Sequence, residues 1–158
     1  MTAVTQKQSE VSHVHKVLFT LGYEGQTADE VFHRLEVAGV RILMDVRYRP
    51  QSRKSGLSKS NLAQTCAERG MIYVHDRDLG TPPEMMDHVK AGGGYDPDIY
   101  AEYQIYLSSK EESLRSASER VRSMPTCLLC YEADANNCHR KIVAEELARR
   151  TGLTVEHL

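Results

Sequence analysis

The sequence predicts an α/β fold, a single-domain three-layer sandwich with a mostly parallel sheet of four to five strands and helices on both faces. Two observations lead there. Short apolar runs of strand length alternate with longer stretches whose apolar residues recur at helical spacing. The residues richest in chemistry follow the strand-like runs rather than precede them, and ligands of open α/β sheets sit beyond the carboxyl ends of the strands. Alternation of this kind joins parallel strands by right-handed crossovers.

Val17 to Leu21 reads as a buried strand ended by Gly22. Thr27 and Glu30 have capping-box spacing, and Val31, Leu35 and Ala38 then follow at helical intervals up to Gly39. Arg41 to Val46 is a second strand. A polar, basic loop runs to Leu57, and Ser58 can cap a helix holding Leu62, Cys66 and Ala67 that stops at Gly70. Met71 to Val74 is a third strand. From Asp76 to Asp98 the expectation is irregular chain of the kind that forms lids, with Pro82-Pro83 and three consecutive glycines at 92–94. Asp98 is the expected cap of one long helix ending near Met124, before Pro125. Thr126 to Tyr131 is a fourth strand, a helix runs from about Cys138 to Thr151, and Leu153 to Leu158 can form a fifth strand.

The size, 158 residues and 17.8 kDa, suits one domain able to bury a core without disulfide or metal. The expected organisation is a flexible segment over 1–16 and one domain over 17–158. Residues 1–16 are polar and lack the apolar core of a secretory signal, which points to a cytoplasmic protein. No apolar run approaches the roughly 20 residues of a membrane helix. The 20 basic and 22 acidic residues give a net charge of −2, which excludes a globally basic nucleic-acid coat but not a local patch.

Such a patch exists. Residues 46–59 hold Arg47, Arg49, Arg53, Lys54 and Lys59 and no acid. With Ser52, Ser55 and Gly56 interleaved, the loop suits an anion, phosphate above all, through arginine forks and hydroxyl or amide donors. The alternative is a solvated charge run. Asp45, at the end of the second strand, is a candidate base or metal ligand, or else a buried partner of a neighbouring arginine. His75, after the third strand, is a second candidate for acid–base or ligand-binding work at the same edge. Tyr23 and Tyr131, at strand ends, are placed to stack on a ring, whereas Tyr100, Tyr103 and Tyr106 read as a packing stripe.

Cys127, Cys130, Cys138 and His139 superficially resemble zinc ligands. Cys127 and Cys130, however, are three apart in a strand and face opposite sides, so no four-ligand metal site is expected. Cys138 at a helix start is either a reactive thiol favoured by the helix dipole or a buried structural one. Arg140 can hold an anion with the helix amides. Glu132 and His139, across a short loop, can share general acid and base work or simply fix that loop.

Taken together, Gly22-Tyr23-x-Gly25, Asp45-Val46-Arg47-x-x-Pro50-x-Ser52-Arg53, Tyr73-x-His75 with Leu79-Gly80, Leu129-Cys130-x-Glu132, Cys138-His139-Arg140 and Val155-Glu156-His157-Leu158 resemble the bacterial and archaeal domain of unknown function 488 family, from about Val17 to Leu158. The resemblance implies that Asp45, Arg47, Arg53, Cys130, Glu132, Cys138, His139 and Arg140 are motif positions, and it implies no reaction. The chain departs from the family at Gly56-Leu57, where an aromatic commonly follows the glycine.

Three functions compete. The first is an enzyme acting on a phosphorylated ligand, a nucleotide or nucleic acid, with Arg47, Arg49, Ser52, Arg53 and Arg140 binding and Asp45, Glu132, His139 or Cys138 in the chemistry. The second is a nucleotide or nucleic-acid binding module without chemistry. The third is a metal or redox sensor on the Cys-His cluster. The sequence leaves the cofactor unknown: a Walker-type loop and a Gly-x-Gly-x-x-Gly, the classical nucleotide fingerprints, are both absent.

Overall fold

A computed structural model describes residues 15–158; the expected flexible segment 1–16 falls, up to residue 14, outside them. The strands are β1 (Val17–Gly22), β2 (Ile42–Asp45), β3 (Ile72–His75), β4 (Thr126–Cys130) and β5 (Thr154–His157). They form one sheet of order β3-β2-β4-β1-β5, and every pairing is parallel. β4, every residue of it buried, occupies the centre. Central parallel strands are covered on both faces, which is why its sequence is continuously apolar rather than alternating.

The helices are α1 (Ala28–Val37), α2 (Lys59–Glu68), α3 (Pro83–Ala91), α4 (Pro97–Ser108), α5 (Glu111–Ser123) and α6 (Arg140–Thr151). Two cores separate across the sheet. Leu21, Leu43, Cys127 and Leu129 pack with Val31, Phe32 and Leu35 of α1 and Leu62 and Cys66 of α2. Leu18, Met44, Leu128 and Cys130 pack on the other side with apolar residues of α3, α4, α5 and α6. Cys127 and Cys130 thus face opposite layers, as the two-residue strand period requires. No helix among the described residues is long and apolar enough to cross a membrane.

The capping box of α1 forms as expected: Glu30 N–H donates to Thr27 Oγ1 and Thr27 N–H to Glu30 Oε2. Ser58 stands at the α2 N-cap but makes no cap bond. Its hydroxyl accepts from Ser52 N–H and donates to the Ser52 carbonyl, and so closes the basic loop.

Three boundaries differ from the sequence reading. The stretch 76–98 is not irregular throughout: a 3-10 turn spans Arg77–Leu79 and α3 spans Pro83–Ala91. Pro83 stands at the start of α3, where a missing N–H costs nothing. The single long helix is two, α4 capped by Asp96 rather than Asp98, then α5. Lys110 leaves helical geometry (φ −102°, ψ 45°), and the Ser108 and Ser109 hydroxyls donate to the carbonyls of Ile105 and Tyr106. Such local side-chain bonds compete with helix propagation. The last helix begins at Arg140, because a 3-10 turn over Ala135–Asn137, capped by Asp134, leaves Cys138 extended.

Register brings the strand ends level. Gly22 pairs with Cys130, Asp45 with Leu129 and with His75. The residues that follow β1, β2, β3 and β4 therefore meet along one edge of the sheet.

Candidate functional site

The edge holds three connected groups of side chains. The first is a buried ion pair. Arg47 Nε donates to Asp45 Oδ1 at 2.9 Å and Nη2 to Oδ2 at 2.7 Å, and the Arg47 amide donates to Oδ1 at 3.1 Å. Tyr73 Oη donates to Asp45 Oδ2 at 2.6 Å. Arg47 Nη1 donates to the Leu57 carbonyl at 2.8 Å and to Tyr23 Oη at 3.1 Å. Burial opposes the charge on Arg47, but the Asp45 carboxylate holds its pKa above the ordinary value. Burial, then the charge of Asp45, pushes the Tyr73 phenol up. Asp45 is fully enclosed and does not line the cleft described below, so its role is to anchor Arg47 and the loop. His75 has the same character, its Nε2 lying 2.7 Å from the Arg47 carbonyl oxygen.

The second group lies beyond β4. Cys130 Sγ is 3.5 Å from Glu132 Oε2 and 3.8 Å from His139 Nδ1, and Cys138 Sγ is 3.9 Å from the same nitrogen. His139 Nε2 lies 2.8 Å from the Val46 carbonyl, which can only accept, so Nε2 carries a proton and donates. Tyr103 packs edge-on against the imidazole with centroids 5.4 Å apart, and Tyr95 lies 6.4 Å away. Burial pushes the Cys138 thiol up, so the helix-start reading of Cys138 as a dipole-activated nucleophile does not describe its surroundings. Burial disfavours a charge on His139 while the Cys138 sulfur favours one, and the balance lies upward.

Arg140, fully buried, fixes the loop that carries Glu132. Nη1 donates to the Glu132 carbonyl, Nη2 to the Ala133 carbonyl at 3.1 Å and Nε to Thr20 Oγ1 at 3.2 Å. The same loop lies so close to β1 that a Cβ on Gly22 would stand 1.7 Å from the Glu132 carbonyl oxygen. Only glycine fits, which gives the Gly22-Tyr23 step a structural reason. Arg140 thus orders polypeptide and does not face the cleft.

The third group is the cleft, about 740 Å³, within the usual range for small-molecule sites. Arg49, Ser52, Arg53 and Lys54 of the basic loop form one wall, and Met86, Asp87 and Lys90 of α3 stand among its other lining residues. Tyr23, Tyr48 and Tyr131 supply aromatic surface, and Cys130, Glu132 and His139 reach the same space. Lys54 Nζ rests on the carbonyls of Tyr23 and Gln26. Among the described residues, no carboxylate pairs with Arg49, Arg53 or Lys90. Tyr131 is 46% exposed and meets Tyr23 edge-on at 5.4 Å, leaving one ring free.

Residues 27–147 match the family described as Domain of unknown function DUF488. The chain belongs to that family. No curated protein and no solved structure matches the chain.

In this DUF488 member the motif residues divide by position. Asp45, Arg47 and Arg140 hold loops, Arg47 while also lining the cleft with Arg53, Cys130, Glu132 and His139, and Cys138 lies behind them. Gly22-Tyr23 and Val155 to Leu158 lie outside the matched span. Leu57, the point of departure from the DUF488 pattern, is fully buried among α1 and α2 residues, so an apolar core residue occupies the place. Sequence reasoning missed Thr81, Met86 and Lys90 on the cleft wall and Tyr73 on Asp45. Pro83 as a helix-start signal, followed by Met85 and Val89 at helical spacing, marks α3 in the sequence.

Proposed function

We propose that the cleft binds a phosphorylated, ring-bearing ligand of nucleotide type and that the protein acts on it as an enzyme. The observation that carries this reading is the set of cations around one cleft. Arg49, Arg53, Lys54 and Lys90 face two carboxylates, Asp87 and Glu132, and none of the four cations has an acidic partner among the described residues. Unpaired arginines in a concave site suit a phosphate, which accepts two parallel hydrogen bonds from each guanidinium. Tyr131 and Tyr48 offer faces for a base or sugar. Glu132, half-buried at the cleft wall, is the group placed to move a proton to or from the ligand. A reducing cytoplasmic setting suits four cysteines that are all free.

A non-catalytic binding module is the second reading, favoured by the engagement of Asp45 and His75 in holding loops. One experiment separates the two. A panel of nucleoside mono-, di- and triphosphates is titrated into the protein by calorimetry at two salt concentrations, and products are followed by chromatography. The expected result is binding that weakens with salt. Arg49→Ala and Arg53→Ala each weaken it by roughly 10-fold or more, the scale of one charged hydrogen bond. Turnover is lost in Glu132→Gln while binding remains. Binding without turnover supports the module; no binding by any member of the panel rejects both readings.

A further inference from the structure

The group of Cys130, Cys138 and His139 has geometry that the phosphate reading does not use. One ligand atom from each lies within 4.8 Å of the other two, and the residues are 5%, 0% and 2% exposed. Two sulfurs and one nitrogen around a tetrahedral Zn²⁺ stand roughly 3.6–3.8 Å apart, given Zn–S near 2.3 Å and Zn–N near 2.0–2.1 Å. The observed Sγ to Nδ1 distances are 3.8 and 3.9 Å. Both sulfur–nitrogen distances are therefore within a few tenths of an ångström of coordinating spacing, and the two sulfurs lie within 4.8 Å of each other.

The imidazole is also aimed. Because Nε2 donates to the Val46 carbonyl, Nδ1 presents its lone pair to both sulfurs. Histidines that bind metals almost always have the second ring N–H held in this way, often by a backbone carbonyl. The Arg140 amide points at Cys138 Sγ from 3.5 Å, a contact that favours charge on the sulfur. Without an ion, two buried thiols, both weak donors, share one strong acceptor.

We propose that Cys130, Cys138 and His139 form a three-ligand site for a soft divalent transition-metal ion, Zn²⁺ above all, whose fourth position opens toward the cleft at Glu132. The ligand types decide the class of ion. Two thiolates and an imidazole select zinc and similar ions over magnesium or calcium, which take oxygen ligands. The accessible side follows from Cys130, Glu132 and His139 lining the cleft while Cys138 lies behind. Three protein ligands and one open position are the pattern of catalytic rather than structural zinc. Glu132 Oε2, 3.5 Å from Cys130 Sγ, is placed to take the open position or to hydrogen-bond a water there. Binding releases the two thiol protons to solvent as the sulfurs become thiolate ligands. The four-ligand set that includes Cys127 is not involved, since Cys127 sits in the opposite core. The site stands whether or not the cleft takes a phosphate.

The test uses the full chain without an affinity tag, reduced and stripped of metal, then titrated with Zn²⁺ and with Co²⁺. The expected result is one ion per chain, thiolate-to-cobalt charge-transfer absorption with the d–d bands of a tetrahedral ion, and protection of Cys130 from alkylation by Zn²⁺. Cys130→Ser and Cys138→Ser weaken binding at least roughly 100-fold, more than the usual loss of an outer-shell partner. Cys66→Ser and Cys127→Ser bind as the parent does. Circular dichroism shows which variants fold, and the alkylation pattern of the unmutated protein decides the matter if a serine variant does not. Absence of stoichiometric Zn²⁺ and Co²⁺ binding by the reduced protein overturns the proposal. So does equal alkylation of Cys130 with and without Zn²⁺, or binding that survives in a folded Cys130→Ser protein.

Discussion

Asp45 and Arg47, two residues apart, close a bidentate ion pair inside the protein, Nε on Oδ1 at 2.9 Å and Nη2 on Oδ2 at 2.7 Å. The pair holds the start of the basic loop against β2, and the Leu57 carbonyl on Nη1 holds its end. An arginine that is 5% exposed and whose side chain makes four hydrogen bonds to three protein groups is a loop clasp. Arg49 and Arg53 are the arginines of that loop left for a ligand, with Lys54 and Ser52 beside them on the cleft wall.

This division predicts opposite outcomes for arginines a few residues apart. Removing one partner of a buried ion pair leaves the other charge unpaired and costs roughly 3–5 kcal/mol. Asp45→Ala and Arg47→Ala are expected to lose stability on that scale in urea unfolding. Arg49→Ala and Arg53→Ala, both exposed, are expected to unfold with the parent's midpoint. A parent-like midpoint for Asp45→Ala would contradict the clasp.

Gly22 predicts a steric effect. Its Cβ would need the space of the Glu132 carbonyl, and both atoms belong to backbone with no side chain able to swing away. Gly22→Ala is expected to displace the Glu132 loop and to cost at least the roughly 1–3 kcal/mol typical of overpacking. Thermal unfolding reads the stability, and amide chemical shifts of residues 131–134 read the displacement. Gly25→Ala meets nothing within 4 Å and carries only the strain of φ +76°, so the shifts at 131–134 should stay in place.

The four cysteines should differ in reactivity in the reduced, metal-free protein. Burial pushes Cys66 up to about 11 and raises Cys127 and Cys138 as well. Thiolate is the reacting form, so all three are slow. Cys130 alone of the four reaches the cleft. Alkylation followed by peptide mapping is expected to label Cys130 first and the others only on unfolding; early labelling of Cys127 would count against the packing described.

His157 gives a pH dependence. Burial, then the charges of Arg140 and Lys141, lower its pKa from the ordinary 6.5. Its Nδ1 lies 2.5 Å from Thr20 Oγ1, which also accepts from Arg140 Nε. A histidine whose folded pKa is depressed favours the folded state fully above its unfolded pKa, near 6.5, and that contribution is lost as pH falls through the folded value. Stability should therefore decline as pH falls below about 6.5, and more weakly in His157→Gln. Proton NMR titration of His157 with a midpoint at or above 6.5 would refute the assignment.

Much of this fold is legible from residue order. Thr27 and Glu30 mark α1 because the cap is local chemistry, and the opposite faces of Cys127 and Cys130 follow from strand period alone. The break at Lys110 is less visible, since apolar spacing continues through it and only the Ser108-Ser109 pair before it and the Glu111-Glu112 pair after it signal a stop and a start. The site is less legible still. Asp45 and Arg47 read equally well as catalytic or structural, because burial distinguishes them and burial belongs to the whole sheet. The approach of Cys130 to His139 depends on an extended Cys138 after a 3-10 turn, a backbone detail that periodicity does not carry.

The place of β4 between β1 and β2 also governs how the protein reaches this structure. Its two neighbours are made early in the chain, and their common partner begins only at Thr126. During synthesis, β1 and β2 wait for most of the polypeptide before the middle of the sheet can close. Pairings across such separations slow folding, because loop entropy is lost before the contacts form. The cleft, built on the ends of these strands, is accordingly a late product of folding, and a chain cut short of Thr126 would keep the basic loop on the β2–β3 pair alone, with no central strand to join it to β1.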